Sequence, residues 1–240
     1  MNDSIQIIPL ANLAIVFIPV VAVLLIYVKW AMDVKEASYS IGRMLLQLTF
    51  IGYILGFIFN TESAWVLFGV LSVMLFASSW IALRTVKKAR LQLLGLSLLS
   101  IIIGSISILI LIMLGVLDLN PWYEPRYIIP LGGMLLASAM NCISLAIDRL
   151  FSELKRNVPY SEARNIAFQA ALIPVVNSLF AVGLVTLPGM MTGQILSGVD
   201  PLIAARYQIM VMCMIFGSTG LTTACFLLLC ERKIKKIHNQ

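Results

Sequence analysis

Few side chains in this sequence could carry out chemistry, and most of those few are neutral. The only histidine, His238, lies two residues from the end of the sequence. The cysteines fall inside or at the ends of apolar runs without C-x-x-C spacing, which is typical of small buried side chains; they are Cys142, Cys213, Cys225 and Cys230. A histidine-based metal site or a Ser/His catalytic pair therefore lacks its residues, and we do not expect this chain to be an enzyme.

The longest stretch that is neither apolar nor densely charged is 187–208, which reads LPGMMTGQILSGVDPLIAARYQ. Its two prolines and three glycines predict sharp turns of the backbone. Because Met190 and Met191 are less polar than the residues of a solvent loop, we expect the segment to pack against protein at the outer side of a membrane, as a loop or a re-entrant segment. Two interpretations stay open: a tightly packed outer loop, and direct contact with a transported solute.

The composition places the chain in a membrane. Of its 240 residues, 60% are hydrophobic and 12% are charged, and the mean hydropathy is +0.98. Soluble domains carry roughly a quarter of charged residues. Apolar spans of ~20 residues and their connections use the whole length, so we expect one membrane domain over 1–240 and no soluble domain. The first apolar run is too long for the core of a signal peptide, and we expect it to be retained.

Seven apolar spans are predicted, and the basic residues orient them. Placing the N-terminus outside puts 15 of the 17 Lys and Arg residues in cytoplasmic segments and leaves Arg126 and Arg206 outside. The net charge of +6 then requires no nucleic-acid partner. The sequence predicts an all-α polytopic membrane protein with the N-terminus outside and the C-terminus cytoplasmic, with spans at 7–28, 44–59, 65–83, 91–117, 127–147, 167–185 and 202–230.

Two segments between these spans mix acidic and basic residues. Residues 31–43 suit a short helix that lies in the membrane interface before the chain re-enters at Arg43. Residues 148–166 form the largest internal loop, where Pro159 and Ser161 predict the start of a helix with Ser161 as its N-cap. The second segment is the larger candidate surface for a cytoplasmic partner.

The spans limit how transport could be energised. They contain no lysine for a retinal Schiff base, and no Asp, Glu or Lys that would couple a carrier to protons. No G-x-x-x-x-G-K-[ST] motif occurs in the chain, so any ATP would have to be hydrolysed by a separate subunit. A stand-alone carrier of small solutes and a seven-helix receptor without nucleotide coupling stay open as alternatives.

Three segments carry a resemblance to a known family: LPGMMTGQILSGVDPLIAARYQI from residue 187, RMLLQLTFIGYILGFIF over 43–59 and RYIIPLGGMLLASAMNCISLAIDRL over 126–150. The chain resembles, over nearly its whole length, the Fet-type permeases. These are the membrane subunits of ATP-binding cassette (ABC) transporters linked to bacterial iron export and, in plants, to aluminium tolerance. The chain departs from the family pattern at Ala137-Ser138, where the pattern has Gly-Asn. Its cytoplasmic segment before the sixth span is also shorter than the family's, and Glu162-Ala163 is followed by Arg164-Asn165 where the family has Leu-Gly-Ala.

The resemblance implies a permease of the bacterial inner membrane that exports iron or a related metal species. It implies two copies of this chain assembled with two copies of a separate ATPase subunit, which binds ATP and Mg²⁺, so that the permease itself holds no cofactor. Coupling to the ATPase is expected within 148–166, at Ser161, Glu162, Ala163 and Arg164.

A substrate path is expected between one face of the fifth span, one face of the sixth span, where Pro174 lies, and the segment 187–208. Its candidate contact residues are all uncharged: Met134, Met140, Asn141, Asn177, Met190, Met191 and Gln194. Because bare iron prefers carboxylate, imidazole or thiolate ligands, we expect weak and transient contact along this path. The cargo is then an ion with its water shell, a chelate or a small polar organic molecule, and no metal ligands are assigned.

Overall fold

The computed structural model describes residues 8–58, 63–87, 89–119 and 123–238. Within them the chain is helical, with one isolated bridge between Val182 and Thr186. The helices are α1 (Leu10–Ile15), α2 (Phe17–Lys29), α3 (Val34–Ile58), α4 (Ala64–Ala82), α5 (Arg90–Ile101), a π-helical turn (Ile102–Ile106), α6 (Ser107–Gly115), α7 (Pro125–Lys155), α8 (Tyr160–Ala181), α9 (Gly189–Leu196), α10 (Pro201–Leu229) and α11 (Glu231–His238). The all-α prediction is confirmed for these residues.

The chain divides into two compact units, 1–60 and 61–240. In the first, α1 and α2 are separated at Val16. Pro19 has no N–H to bond to the carbonyl of Ile15, which explains a break at this point. The short interfacial helix expected at 31–43 is wrong: α3 runs without interruption from Val34 to Ile58. An Asp33 side-chain oxygen accepts the N–H of Glu36 at 3.1 Å, which caps this earlier start.

The second unit is built around α7, which packs against α4, α8 and α10. Large side chains spaced along one face of α7 are buried, among them Leu136, Ile143 and Leu150. The facing surface of α8 carries small residues at intervals of four, Ala163, Ala167 and Ala171, all fully buried. Lipid gives helices little hydrophobic reason to associate, so this close packing of small residues accounts for the α7–α8 contact.

The predicted span 91–117 is not one regular helix, because a π-helical turn separates α5 from α6. Gly104 lies in this turn, directly against the backbone of Thr222 in α10. Next to it, Ser218 Oγ donates to Ser105 Oγ at 2.8 Å, and Ser105 Oγ lies 3.3 Å from Thr222 Oγ1. A π-helical turn displaces side chains relative to a regular helix, and here it accompanies a buried hydroxyl contact between two apolar helices.

Among the residues that the structure describes, five helical segments are long and apolar enough to cross a membrane: Ala11–Lys29, Ala64–Ala82, Arg90–Gly115, Pro125–Lys155 and Pro201–Leu229. They make the chain a multi-pass membrane protein. The charged residues Lys35, Glu36 and Arg43 lower the hydropathy of α3, and Glu162 and Arg164 do the same for α8. The count of seven spans and the orientation of the termini stay predictions.

The segments 148–166 and 187–208 are more helical than the sequence suggested. Ser161 is not an N-cap: α8 begins at Tyr160, and Pro159 occupies the N-cap position with its fixed φ of −56°. In the second segment, α9 is followed by a turn in which Gly198 adopts a φ of +89°. Asp200 then caps α10, because its carboxylate accepts the N–H of Leu202 at 2.8 Å.

Candidate functional site

A cavity of about 380 Å³ lies in the second unit between α7, α8, α10 and the segment that follows α8. All of its lining residues are uncharged, and four of them bring side-chain oxygen: Ser138, Asn141, Ser178 and Thr186. The remaining lining residues are Cys142, Leu145, Ala171, Pro174, Val175, Val182, Pro188, Met212 and Ile215.

The α7 wall of the cavity follows from helical spacing. Ser138, Asn141 and Leu145 recur at intervals of three and four, so they share one face of α7. Beside them the buried thiol of Cys142 donates to the carbonyl of Ala171 on α8 at 3.3 Å. This bond joins α7 to α8 at the cavity, so Cys142 is held as part of the wall.

The α8 wall contains a proline that frees a backbone acceptor. Pro174 has no N–H, so the carbonyl of Ala170 one turn earlier loses its usual partner within the helix. The Ser178 hydroxyl donates to the carbonyl of Pro174 at 2.9 Å. Soon afterwards α8 ends at Ala181, whose carbonyl accepts the N–H groups of Val185 and Thr186 at 2.8 and 3.1 Å. This tight turn brings Val182, Thr186 and Pro188 to the cavity.

The chemistry of this cavity is that of neutral hydrogen-bonding groups. Hydroxyl and amide oxygens accept hydrogen bonds from water or from a polar solute, but they hold a bare transition-metal ion weakly. Among the described residues there is also no group of three or more His, Cys, Asp or Glu side chains that could hold a metal ion. The cavity therefore suits a hydrated or chelated species, or a small polar molecule.

The structure brings together only part of the path predicted from the sequence. Asn141 and Pro174 line the cavity. Asn177 is exposed and Met134 half-buried, and neither lines it. Met140 packs against the apolar core of the unit. The remaining three candidates lie half-buried on α9, which starts just beyond the cavity residue Pro188: Met190, Met191 and Gln194.

Three polar contributors to the cavity, Ser138, Ser178 and Thr186, and the sulfur of Met212 were not among the contact residues predicted from the sequence. Ser138 is three residues from Asn141, and Ser178 is four from Pro174, so helical spacing was a usable signal for both. The sequence gives no such indication for Met212, because its position at the cavity depends on how α10 packs against α7 and α8.

Comparison with known proteins decides the family. The model of a family described as "Uncharacterised protein family (UPF0014)" matches residues 10–164 and 159–234. The chain belongs to the UPF0014 family. No solved structure matches this UPF0014 chain.

Three relatives extend over most of this UPF0014 chain. The UPF0014 membrane protein slr1647 of Synechocystis is 36% identical over 76% of both chains. The probable iron export permease protein FetB of Escherichia coli is 33% identical over 90% of this chain and 89% of its own length. Protein ALUMINUM SENSITIVE 3 of Arabidopsis thaliana is also 33% identical, over 92% of this chain and 84% of its own. The resemblance to Fet-type permeases is thereby confirmed.

The UPF0014 chain has a second notable region where α7 meets α8. The Tyr160 hydroxyl donates to the carbonyl of Leu227 near the end of α10 at 2.5 Å and lies 3.5 Å from Cys230 Sγ. Burial raises the pKa of the Tyr160 phenol, so it stays protonated and available as a donor. Just before the corner, buried Glu153 pairs with Arg149 at 2.8 Å and lies 3.8 Å from Arg156. The ion pairs stabilise the end of α7, and the Tyr160 hydrogen bond joins the start of α8 to α10.

The four predicted coupling residues have different environments at this corner. Ser161 and Glu162 are exposed, and Arg164 is half-buried beside Asn165. Ala163 is fully buried among the apolar residues of the core. The exposed pair could contact a partner, whereas Ala163 can act only by fixing how α8 packs.

Proposed function

We propose that this chain is the permease subunit of an ABC transporter that exports iron or a related metal species. The observation that carries the proposal is the match, over about nine-tenths of both chains, to a relative named as a probable iron export permease. The uncharged cavity supports this proposal, because a site that binds its cargo weakly can release it on the far side of the membrane.

The proposed route passes through the cavity between α7, α8 and α10. Asn141 and Ser138 on one wall, and Ser178 and Thr186 on the other, offer oxygens to the water shell of an ion or to the polar groups of a chelate. Gln194 and the methionines of α9 belong to the continuation of this route beyond Pro188.

Energy for export is proposed to come from a separate ATPase subunit, with two permease chains and two ATPase chains in the complex. We place the contact at the α7–α8 corner, where Glu162 is exposed and Arg164 half-buried. A displacement of this corner would change the shape of the cavity, because α7 and α8 form two of its walls. It would also reach α10 through the bond from Tyr160 to Leu227.

Reconstitution tests this function. The purified chain is placed in liposomes with and without its cognate ABC ATPase, and ferrous iron movement is followed with an internal fluorescent chelator. We expect transport only with both subunits and ATP, and no ATP hydrolysis by the permease alone. Transport of small solutes by the permease without nucleotide would instead support a stand-alone carrier, and failure of the two proteins to co-purify in several detergents would contradict the proposed assembly.

A further inference from the structure

Two amide oxygens in the second unit are buried without a hydrogen-bond partner. They are Oε1 of Gln194 on α9 and Oε1 of Gln208 on α10, and neither accepts a hydrogen bond from any residue that the structure describes. Gln208 is only 5% exposed. A buried acceptor without a partner costs roughly 1–3 kcal/mol, so such groups are rare unless they serve a purpose.

Gln208 lies on the face of α10 that continues the cavity wall. Met212 and Ile215 line the cavity, and Gln208 precedes them by four and seven residues, which places all three on one face of the helix. Gln194 lies on α9, which packs against α10 and begins directly after the cavity residue Pro188. The two unpartnered oxygens therefore lie on α9 and α10, along which the proposed route would continue beyond the cavity.

The burial of Gln208 limits what could satisfy its oxygen. A lipid headgroup or a second copy of the chain would approach from outside, where little of this side chain is accessible. A small species that comes from the neighbouring cavity, which Met212 and Ile215 line, is the remaining candidate. Since both unpartnered atoms are acceptors, a species that satisfies them must bring hydrogen-bond donors or positive charge.

We propose that Gln208, together with Gln194, contacts the cargo as a hydrated divalent cation after it leaves the cavity. The amide oxygens accept hydrogen bonds from the water molecules bound to the ion, or replace one of them. This rests on the proposed function for the direction of travel, but it adds what the cargo is at this point: a cation in its water shell. Neutral oxygen ligands hold such an ion weakly, which permits its release.

The test converts each amide into a carboxylate of nearly the same shape. Mn²⁺ binding to the purified full-length chain is measured from the electron paramagnetic resonance signal of free Mn²⁺, for Gln208→Glu, Gln194→Glu and the unmodified protein. A carboxylate on the route should tighten Mn²⁺ binding by roughly tenfold or more, since a charged oxygen attracts a dication far better than a neutral one. Gln208→Leu should weaken it.

The matched control is Gln169, an exposed glutamine on α8 outside the cavity lining. Gln169→Glu and Gln169→Leu make the same chemical changes and should leave Mn²⁺ binding close to that of the unmodified chain. If substitution at Gln208 prevents folding, Gln194→Glu and Gln194→Leu at the half-buried Gln194 are compared with the Gln169 variants instead.

Each outcome decides the proposal. Mn²⁺ binding no tighter in Gln208→Glu and Gln194→Glu than in Gln169→Glu overturns it, and so does competition by methylammonium at the same concentration as Mn²⁺, which would identify the ligand as an amine. Binding is measured without ATP or ATPase, so a missing ATP-driven transport would contradict the proposed function while leaving a positive Mn²⁺ result intact.

Discussion

Asn141 on α7 and Asn177 on α8 have the same amide side chain, but of the two only Asn141 lines the cavity. We expect Asn141→Leu to lower iron export by roughly tenfold or more, because it removes a hydrogen-bonding group that the cargo would meet. Asn177→Leu, at an exposed position, should change export by less than about twofold. Metal accumulation in iron-loaded cells expressing each variant measures both, and equal losses would mean that the route extends beyond the cavity wall.

Met190 and Met191 provide a second comparison among single residues. Both are half-buried on α9, where methionine more often fills space than binds metal. Met190→Leu and Met191→Leu conserve volume and remove the sulfur, so export should persist in both. The same accumulation assay applies, with membrane levels of each variant checked by immunoblot, and abolished export in either one would make a thioether a ligand of the cargo.

Tyr160 is a residue whose contribution is to stability. Tyr160→Phe removes the hydroxyl that donates to the carbonyl of Leu227, and should destabilise the protein by about 1 kcal/mol. Thermal unfolding in detergent should show a lower midpoint than for Tyr39→Phe, since Tyr39 is 70% exposed. Equal midpoints would mean that this bond does not hold the α7–α8 corner against α10.

At the scale of elements, the contact between the π-helical turn and α10 depends on the absence of a side chain at one position. A Cβ added at Gly104 would lie 2.5 Å from the backbone nitrogen and 2.7 Å from the Cα of Thr222. Because backbone atoms cannot yield as a flexible side chain can, Gly104→Ala should cost several kcal/mol by forcing the helices apart. In lipid this would also weaken the hydroxyl contacts around Ser105.

Gly95→Ala is the matched control for this helix pair. A Cβ at Gly95, in the middle of α5, would meet no described atom within 4 Å. Alanine is favoured over glycine inside a helix by up to ~1 kcal/mol, so Gly95→Ala should be neutral or slightly stabilising. Unfolding midpoints that are alike for the two alanine variants would show that α10 does not approach the turn so closely.

The α7–α8 corner is the element we expect to transmit ATP hydrolysis. Replacing Glu162 and Arg164 together by alanine should leave folding intact, because surface changes seldom exceed ~0.5 kcal/mol, while export falls relative to ATP hydrolysis. Glu124 and Arg126 have the same residue types and spacing at the start of α7. Their double alanine variant should keep the ratio of iron exported to phosphate released, and an equal fall in both variants would remove the corner from the mechanism.

The sequence predicted the elements more accurately than their interruptions. Long apolar runs located α4, α7 and α10, because hydropathy depends only on local residues. The π-helical turn within 91–117 was not predicted; it lies where Gly104 meets Thr222, a residue far along the chain that local sequence does not place there. For the cavity, Asn141 and Pro174 were found as unusual residues in apolar helices, whereas Met212 required knowledge of the packing of α10.

At the scale of the whole molecule, the topology can be measured directly. Ser197 lies in the turn between α9 and α10, and Ser152 lies near the end of α7; both are exposed. In a background with the native cysteines replaced, Ser197→Cys should react with a membrane-impermeant maleimide in intact spheroplasts. Ser152→Cys should react only after permeabilisation. Labelling of both in intact cells would contradict α8 as a span between them.

The uncharged cavity has an electrical consequence. A carrier that buries a carboxylate beside its cation moves little net charge, because protein and cargo compensate each other within the membrane field. Here the walls contribute no compensating charge, so each divalent ion exported through them would carry two positive charges outward. Against an inside-negative potential this costs about 2.3 kcal/mol for each charge per 100 mV. If the cargo is a divalent ion, as proposed, its export would therefore be electrogenic: the rate should fall when the membrane hyperpolarises and rise when a potassium ionophore collapses the potential.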